Sequence, residues 1–353
     1  MSLLFEPLQL RELRIPNRLW LAPMCQYSAA SDGLPGDWHL AHYGARATGG
    51  FGLLIAEATA ITPIGRISRH DVGLWDDGHI DAWRRVTDFC GQQGARMGVQ
   101  LAHAGRKAGI HRGWSGKEGT LSKRDGGWET VGPSDAPFPG YAAPRGLTTA
   151  EVADIPRQFA EAARRADAAG FDVVEIHAAH GYLLHQFLSP LSNNRSDEYG
   201  GSPRNRARLL LEVAEAVRGC WPEHKPLFVR ISATDWLEGG LNPDDLAPVM
   251  AQLGSRGVDL VNVSTGGLLP APIEVGPGYQ VPHSERIRRK SGLPTAAAGL
   301  ITSPQQAEQI LVDRAADAIA LGRPALRDPH WPLHAAAKLR ADIHWAPQYL
   351  RGR

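Results

Sequence analysis

The sequence predicts a (β/α)8 barrel, and three observations carry that prediction. Eight short apolar runs recur along the 353 residues, at 19–24, 53–59, 97–103, 173–178, 227–233, 260–265, 295–300 and 318–323. Several are nearly continuous in apolar residues, as in parallel strands covered by helices on their outer side. Most are separated by stretches of helical spacing, and such alternation at this chain length fits a closed barrel. The competing doubly wound sheet normally carries a glycine-rich phosphate loop after its first strand. Here the first run leads instead into Cys25-Gln26-Tyr27-Ser28.

The helices declare themselves by their ends. Residues 81–93 have helical periodicity. Thr149-Ala-Glu-Val-Ala-Asp leads into a helix over 155–169, closed by Gly170. Residues 203–219 start at Pro203 and stop at Gly219; residues 242–253 open with Asn242-Pro243 and end near Gly254. Ser303-Pro304 opens one more in the same way. Residues 106–146 break the rhythm, being rich in Gly, Pro, Trp and Ser without a helical period. So long an irregular stretch in a compact domain is usually functional. We read it as an excursion over the barrel mouth after the third strand, built as a small hairpin lid; the plainer reading is a surface insertion without a role. Residues 1–353 then form a single domain.

Composition narrows the function. The chain is 43% hydrophobic and 21% charged, as in a globular protein. A net charge of +1 offers no footprint for nucleic acid or an anionic membrane. No apolar run approaches the roughly 18 residues of a membrane span, and the first residues, with Glu6 and Glu12, lack an apolar signal core. Cys25, Cys90 and Cys220 are scattered and imply neither a disulfide framework nor a metal spacing. The expectation is a cytoplasmic enzyme.

In such a barrel the C-terminal strand ends form the mouth, where chemistry is done. The fourth run delivers His177-Ala-Ala-His180-Gly-Tyr182 to that end. Two neutral imidazoles can donate to one oxygen and a tyrosine can pass a proton, which suits polarisation of a carbonyl. A metal stays open for a pair at i and i+3, although no His or carboxylate pattern at other strand ends completes a site. Arg230 lies in the fifth run, where desolvating an unpaired cation is costly. It therefore needs an anionic or strongly polar partner, Glu175 being the plain structural candidate. Gly299 and Gly322 follow the seventh and eighth runs and let backbone N–H groups approach an anion closely. Arg323 adds a fixed cationic fork at a corner that often binds phosphate. Cys25 is either a buried inert thiol or a group facing a cofactor. No lysine ends a run, so Schiff-base chemistry is not supported.

Several segments together resemble one family. They are Asn17-Arg18 leading to Ala22-Pro23-Met24-Cys25-Gln26-Tyr27, Glu57-Ala58-Thr59, Gln100-Leu-Ala-His-Ala-Gly-Arg106, the histidine segment, Ser189-Pro-Leu-Ser-Asn-Asn-Arg195, Tyr199-Gly-Gly-Ser-Pro-Arg-Asn205 and Gly322-Arg323. In that order, over essentially the whole chain, they resemble the Old Yellow Enzyme family of FMN-dependent ene-reductases. Cys25, where many relatives have threonine, resembles the bacterial thermophilic-like subclass of xenobiotic reductases.

The resemblance implies an NADPH dehydrogenase with tightly bound FMN, reduced by NADPH or less often NADH. Hydride then passes from flavin N5 to the β-carbon of an α,β-unsaturated carbonyl, and the α-carbon is protonated. It implies that Pro23, Met24 and Cys25 line the isoalloxazine, with Cys25 near N5. Ala58 and Gln100 contact the ring, and Arg230 lies near N1 and the C2 carbonyl, where a fixed cation stabilises the charge built on reduction. Gly299, Gly322 and Arg323 hold the phosphate. His177 and His180 grip the substrate carbonyl, Tyr182 is the acid for the α-carbon, and Tyr27 offers a second hydrogen bond. In this subclass the tail of one subunit reaches the neighbour's active site. The segment Trp345-Ala-Pro-Gln-Tyr349-Leu-Arg351 is similar, so Arg351, with Tyr349, is expected to complete a partner's pocket in a homodimer or homotetramer. The implied substrates are enones, maleimides and nitro-compounds, with phenols as inhibitors; neither nucleic acid, membrane nor metal is implied. The alternatives are a 2,4-dienoyl-CoA reductase-like flavoenzyme and a metal-dependent hydrolase on the same barrel. The first would add an iron–sulfur cysteine cluster and further domains. A flavin-dependent tRNA dihydrouridine synthase would need a basic surface.

Overall fold

The eight apolar runs become β1 (Leu19–Leu21), β2 (Leu53–Ala60), β3 (Arg96–Ala102), β4 (Val173–Ala178), β5 (Leu227–Ser232), β6 (Leu260–Ser264), β7 (Thr295–Ala297) and β8 (Ala318–Leu321) in the computed structural model, which describes residues 2–353. All pair in parallel in chain order, and β8 pairs back with β1 through Ile319↔Leu19. The barrel is therefore closed and has no free sheet edge. At β1, β7 and β8 the ladder stops two or three residues before the apolar run does. The chain leaves the sheet there to present Pro23, Met24, Gly299 and Gly322 at the mouth.

The helices are α1 (Asp37–Thr48), α2 (His79–Gln92), α3 (Thr149–Ala168), α4 (Leu183–Leu188), α5 (Pro203–Arg218), α6 (Pro243–Gly254), α7 (Val281–Ser291), α8 (Pro304–Val312), α9 (Arg323–Arg327) and α10 (Trp331–Leu339). Their starts follow from side-chain caps. Thr148 and Glu151 form a capping box at α3, and the side chains of Ser202, Asn242 and Ser303 accept first-turn N–H groups just before Pro203, Pro243 and Pro304. Each such cap stabilises its helix by about 1 kcal/mol.

Aromatic and aliphatic side chains, Trp83, Phe159 and Phe171 among them, fill the layer between strands and helices. Inside the barrel the floor is a second cluster, in which Trp20 stacks on Phe228 with centroids 5.6 Å apart. An antiparallel hairpin, Leu8–Leu10 with Leu13–Ile15, contributes Leu10 and Ile15 to that floor.

The excursion after β3 is more than one hairpin. Ile110 bridges antiparallel to Thr120, which closes a small loop, but Val131–Gly132 and Arg145–Gly146 pair in parallel. The tail forms a 3-10 helix at Pro347–Gly352 and packs on its own chain, with the Tyr349 ring 5.7 Å from that of His330. No helix among the described residues is long and apolar enough to cross a membrane.

Candidate active site

Ala22 and Ala298 follow directly on β1 and β7 and Ala320 lies within β8, and their small side chains leave a cleft of about 310 Å³ at the mouth. Its walls bring together Pro23, Met24, Arg230, Gly299, Gly322 and Arg323. Gly299 has φ +101°, and a Cβ there would meet Gln280 at 3.0 Å, so only glycine suits the turn. Gly322 differs: a Cβ would make only an ordinary contact with Met24 Sδ at 3.6 Å. Packing within the protein leaves room for a Cβ at 322.

Arg230 is buried, and its Nε and Nη1 have no hydrogen-bond partner among the described residues. The plainer alternative, an ion pair with Glu175, does not form. Glu175 is held instead by Gln100 Nε2 at 2.7 Å and Asn262 Nδ2 at 2.8 Å. Burial lowers the Arg230 pKa, against which the Glu175 charge pulls upward. Unpaired buried donors on a guanidinium are costly unless a ligand satisfies them. Arg323 and Arg327 line the same cleft one turn apart, at a spacing that shares a helix face. Orphaned donors at one end, two cations at the other and small residues between them fit the flavin ring and phosphate of FMN. Arg230 would hold the ring, and Gly299, Gly322, Arg323 and Arg327 the phosphate.

A second wall faces this cleft. Cys25, Tyr27, Ala58 and Tyr182 gather around Ala102 and Ala104 in one apolar patch. The His177 ring lies 5.2 Å from that of His180 and 5.0 Å from that of Tyr182. His177 Nδ1 accepts the Ala179 N–H, so the neutral ring carries its proton on Nε2. Burial first, then the Arg230 charge, pushes both histidines well below the usual imidazole range. They are neutral donors at physiological pH. Burial likewise pushes the Tyr182 phenol well above 10 and the Cys25 thiol well above 9. Tyr27 is raised too, first by the charge a Cys25 thiolate would carry and then by burial.

The turn holding the pair is strained and braced. His180 has φ +59°, uncommon for a residue with a side chain, and its N–H donates to Ser232 Oγ at 2.9 Å. The Gly181 N–H donates to His185 Nδ1 at 2.9 Å, and His185 Nε2 stands 2.9 Å from Asp235 Oδ1. A Cβ at Gly181 would lie 2.2 Å from the Gly267 carbonyl oxygen.

Lys107 was not anticipated from the sequence, because it ends no strand. Its Nζ donates to the carbonyls of His180 and Gly267, both at 2.9 Å, and lies 5.3 Å from the Tyr182 ring centroid. Burial lowers it to about 8. Arg106 beside it donates to Leu268 O at 3.0 Å and Ala136 O at 3.0 Å, tying the excursion to the loop after β6. Arg327 was also missed; its i+4 spacing from Arg323 was the available signal. Arg351 is exposed on the tail, in the 3-10 helix Pro347–Gly352. Among the described residues no group of three or more His, Cys, Asp or Glu side chains is placed to hold a metal ion.

A closed parallel barrel with a cationic cleft of unsatisfied donors beside a neutral histidine pair defines a barrel flavin oxidoreductase. The family model described as "NADH:flavin oxidoreductase / NADH oxidase family" matches residues 3–342, and the chain belongs to that family. It is 48% identical over 353 residues to an NADPH dehydrogenase of Geobacillus thermodenitrificans (strain NG80-2), covering 99% of this chain and 98% of that one. Among solved structures it resembles the old yellow enzyme homologue from Zymomonas mobilis at 27% identity and TM-score 0.80, covering 98% of this chain and 97% of that one. It also resembles a 2-naphthoyl-CoA reductase at 26% identity and TM-score 0.86; 95% of this chain matches, but it spans only 52% of that protein. The Old Yellow Enzyme resemblance and the (β/α)8 barrel both hold.

Proposed function

We propose that this chain is an NADPH dehydrogenase acting as an ene-reductase on α,β-unsaturated carbonyl compounds. The observation that carries this reading is the neutral His177–His180 pair beside Tyr182, across from the unsatisfied donors of Arg230. Bound FMN supplies two-electron hydride chemistry, from reduced nicotinamide and on to an activated alkene.

The residues of the chain do the rest. His177 donates its Nε2–H to the substrate carbonyl oxygen, and His180 supplies the second donor, drawing electron density from the alkene. Neither carries a charge that would have to be desolvated again when the apolar substrate enters. Tyr182 keeps its proton at neutral pH and holds it for the α-carbon. Tyr27 donates to the same carbonyl from the opposite loop. Cys25 stays a thiol and would meet the flavin as a small polarisable group. Pro23, Met24 and Ala58 would give it an apolar seat, and Gln100, held by Glu175, would contact it.

Maleimides and nitro-compounds share the polarised acceptor that such a clamp grips. Phenols, which present one oxygen to two imidazoles, are the expected inhibitors. Three unpaired thiols suit the reducing cytoplasm. Tyr349 and Arg351 are exposed, which supports a tail that reaches a second subunit in a homodimer or homotetramer. The deciding experiment is stopped-flow reduction of the yellow, as-purified protein by NADPH and by NADH, followed by reoxidation with cyclohexenone. A colourless protein, or a reduced one that enones do not reoxidise, would rule the reading out.

A further inference from the structure

The pairing of β2 with β3 slips at one residue. Ala56 faces Val99 and Ala58 faces Gln100, so Glu57 between them is unopposed. A bulge of this kind re-aims a side chain. Glu57 turns toward α1, while its neighbour Ala58 joins the patch at the mouth.

Behind the strand Glu57 is 1% exposed, where an unassisted carboxyl is costly. Its Oε2 accepts the Gln26 N–H at 2.6 Å. The Tyr43 hydroxyl lies 3.2 Å from Oε1 and accepts the Glu57 N–H at 3.0 Å. His39 Nδ1 accepts the Gly36 N–H at 3.0 Å, so its neutral ring carries the proton on Nε2. That Nε2 stands 3.5 Å from Glu57 Oε1 and has no hydrogen-bond partner among the described residues.

What hangs on this carboxyl is the segment after β1. Beyond Ala22 it has left the ladder, and Tyr27 adopts φ +48°. Gln26 is its fixed point: besides the N–H held by Glu57, its side chain bonds Met24 O at 2.8 Å and accepts from Trp38 Nε1 at 3.0 Å. We propose that Glu57 is a positioning residue, which grips the Gln26 amide from behind the barrel and so sets how Cys25 and Tyr27 face the mouth. The inference rests on the reading that Tyr27 bonds a carbonyl or phenol ligand.

The groups facing Glu57 are His39 and Tyr43 from α1, Cys25 and the Tyr27 backbone N–H from the loop, and Asp71 from the segment after β2. Burial raises Glu57 to about 8 and lowers His39 to about 4. Despite their short separation the two are therefore a neutral pair at pH 7, not an ion pair.

The test is spectral titration of the FMN-loaded enzyme with 4-hydroxybenzaldehyde. Glu57→Ala leaves a buried N–H unpaired and should weaken binding by about tenfold with FMN content unchanged. Glu57→Gln keeps an acceptor for Gln26 and should restore binding to within about threefold. Affinity unchanged in Glu57→Ala, or as weak in Glu57→Gln as in Glu57→Ala, would overturn the proposal. Tyr27→Phe separates the two levels. If it too binds like the wild type, the placement of Tyr27 falls, and the proposal with it. If it binds weakly beside an unaffected Glu57→Ala, the proposal falls alone. Should the variants not fold, amide exchange of Gln26 in the wild-type holoenzyme decides: protection is expected, and rapid exchange overturns the assignment.

Discussion

His180 Nε2 and Ser264 Oγ lie 2.7 Å apart, joining the imidazole at the end of β4 to a hydroxyl at the end of β6 that also lines the cationic cleft. The contact fixes the ring's direction before any ligand arrives. Ser264→Ala should therefore weaken phenol binding to the FMN-loaded enzyme by about fivefold, the net worth of one hydrogen bond. Spectral titration checks it, and wild-type affinity would show that the ring is oriented by packing alone.

Removing the clamp should cost more. His177→Ala/His180→Ala deletes both donors to one oxygen, and phenol affinity should fall at least about a hundredfold. FMN should stay bound, because neither residue lines the cleft that carries Arg230 and Arg323. The wild type with a phenolate should show a long-wavelength charge-transfer band, and the double variant should lose it.

Arg230→Met removes a buried cation whose Nε and Nη1 are unsatisfied within the protein. Flavin affinity should drop by about 10- to 100-fold, as for loss of charged hydrogen bonds. The midpoint potential should fall, since charge developing on reduction loses its counter-ion. Fluorescence titration of apoprotein with FMN and a dye-equilibrated reductive titration measure the two. Cys25→Ala should also shift the potential, with little effect on folding.

Glu57 and Asp71 should each make stability fall as pH rises from 6.5 to 8. In the folded protein burial raises Glu57 from 4.5 to about 8 and Asp71 from 3.8 to about 7. Across this window the folded state holds protons that the unfolded chain has lost, so their stabilisation is full below the unfolded pKa values and disappears through the folded ones. The buried histidines His39, His42, His103, His177 and His180, all lowered by burial, act with the opposite sign around and below their ordinary 6.5, and Lys107, lowered to about 8, does so from near pH 8 upward, so the comparison with a variant isolates Glu57. The slope is at most about 1.4 kcal/mol per pH unit per proton. Between pH 6.5 and 8 the melting temperature of Glu57→Gln should gain on that of the wild type; a constant offset between the two would remove Glu57 from the account.

The strands were legible because parallel strands buried on both faces must be apolar, and β4 matches its expected span of 173–178. Helices α5, α6 and α8 were legible through their Pro starts. Helix α1 was not, because its buried side includes His39, His42, Tyr43 and Arg46, which hide the apolar period. The two-residue ladder at Val131 and Arg145 is too short to leave a pattern. At the site, groups carried on strand ends could be read directly. Lys107 and Arg327 could not, since each reaches the mouth from outside a strand, and the partners of Glu175 depend on strand register.

The loop closed by the Ile110–Thr120 bridge has a consequence for how this enzyme can diversify. Arg106 and Lys107 moor its leading end to the barrel, and Leu121 N–H bonds Gly109 O at 2.7 Å at the far end. Between these moorings Gly113 to Glu118 are exposed. That stretch behaves as an exchangeable cassette. Its length and residues can drift, or be grafted from a relative, and reshape what the mouth admits while the reacting groups stay where they are.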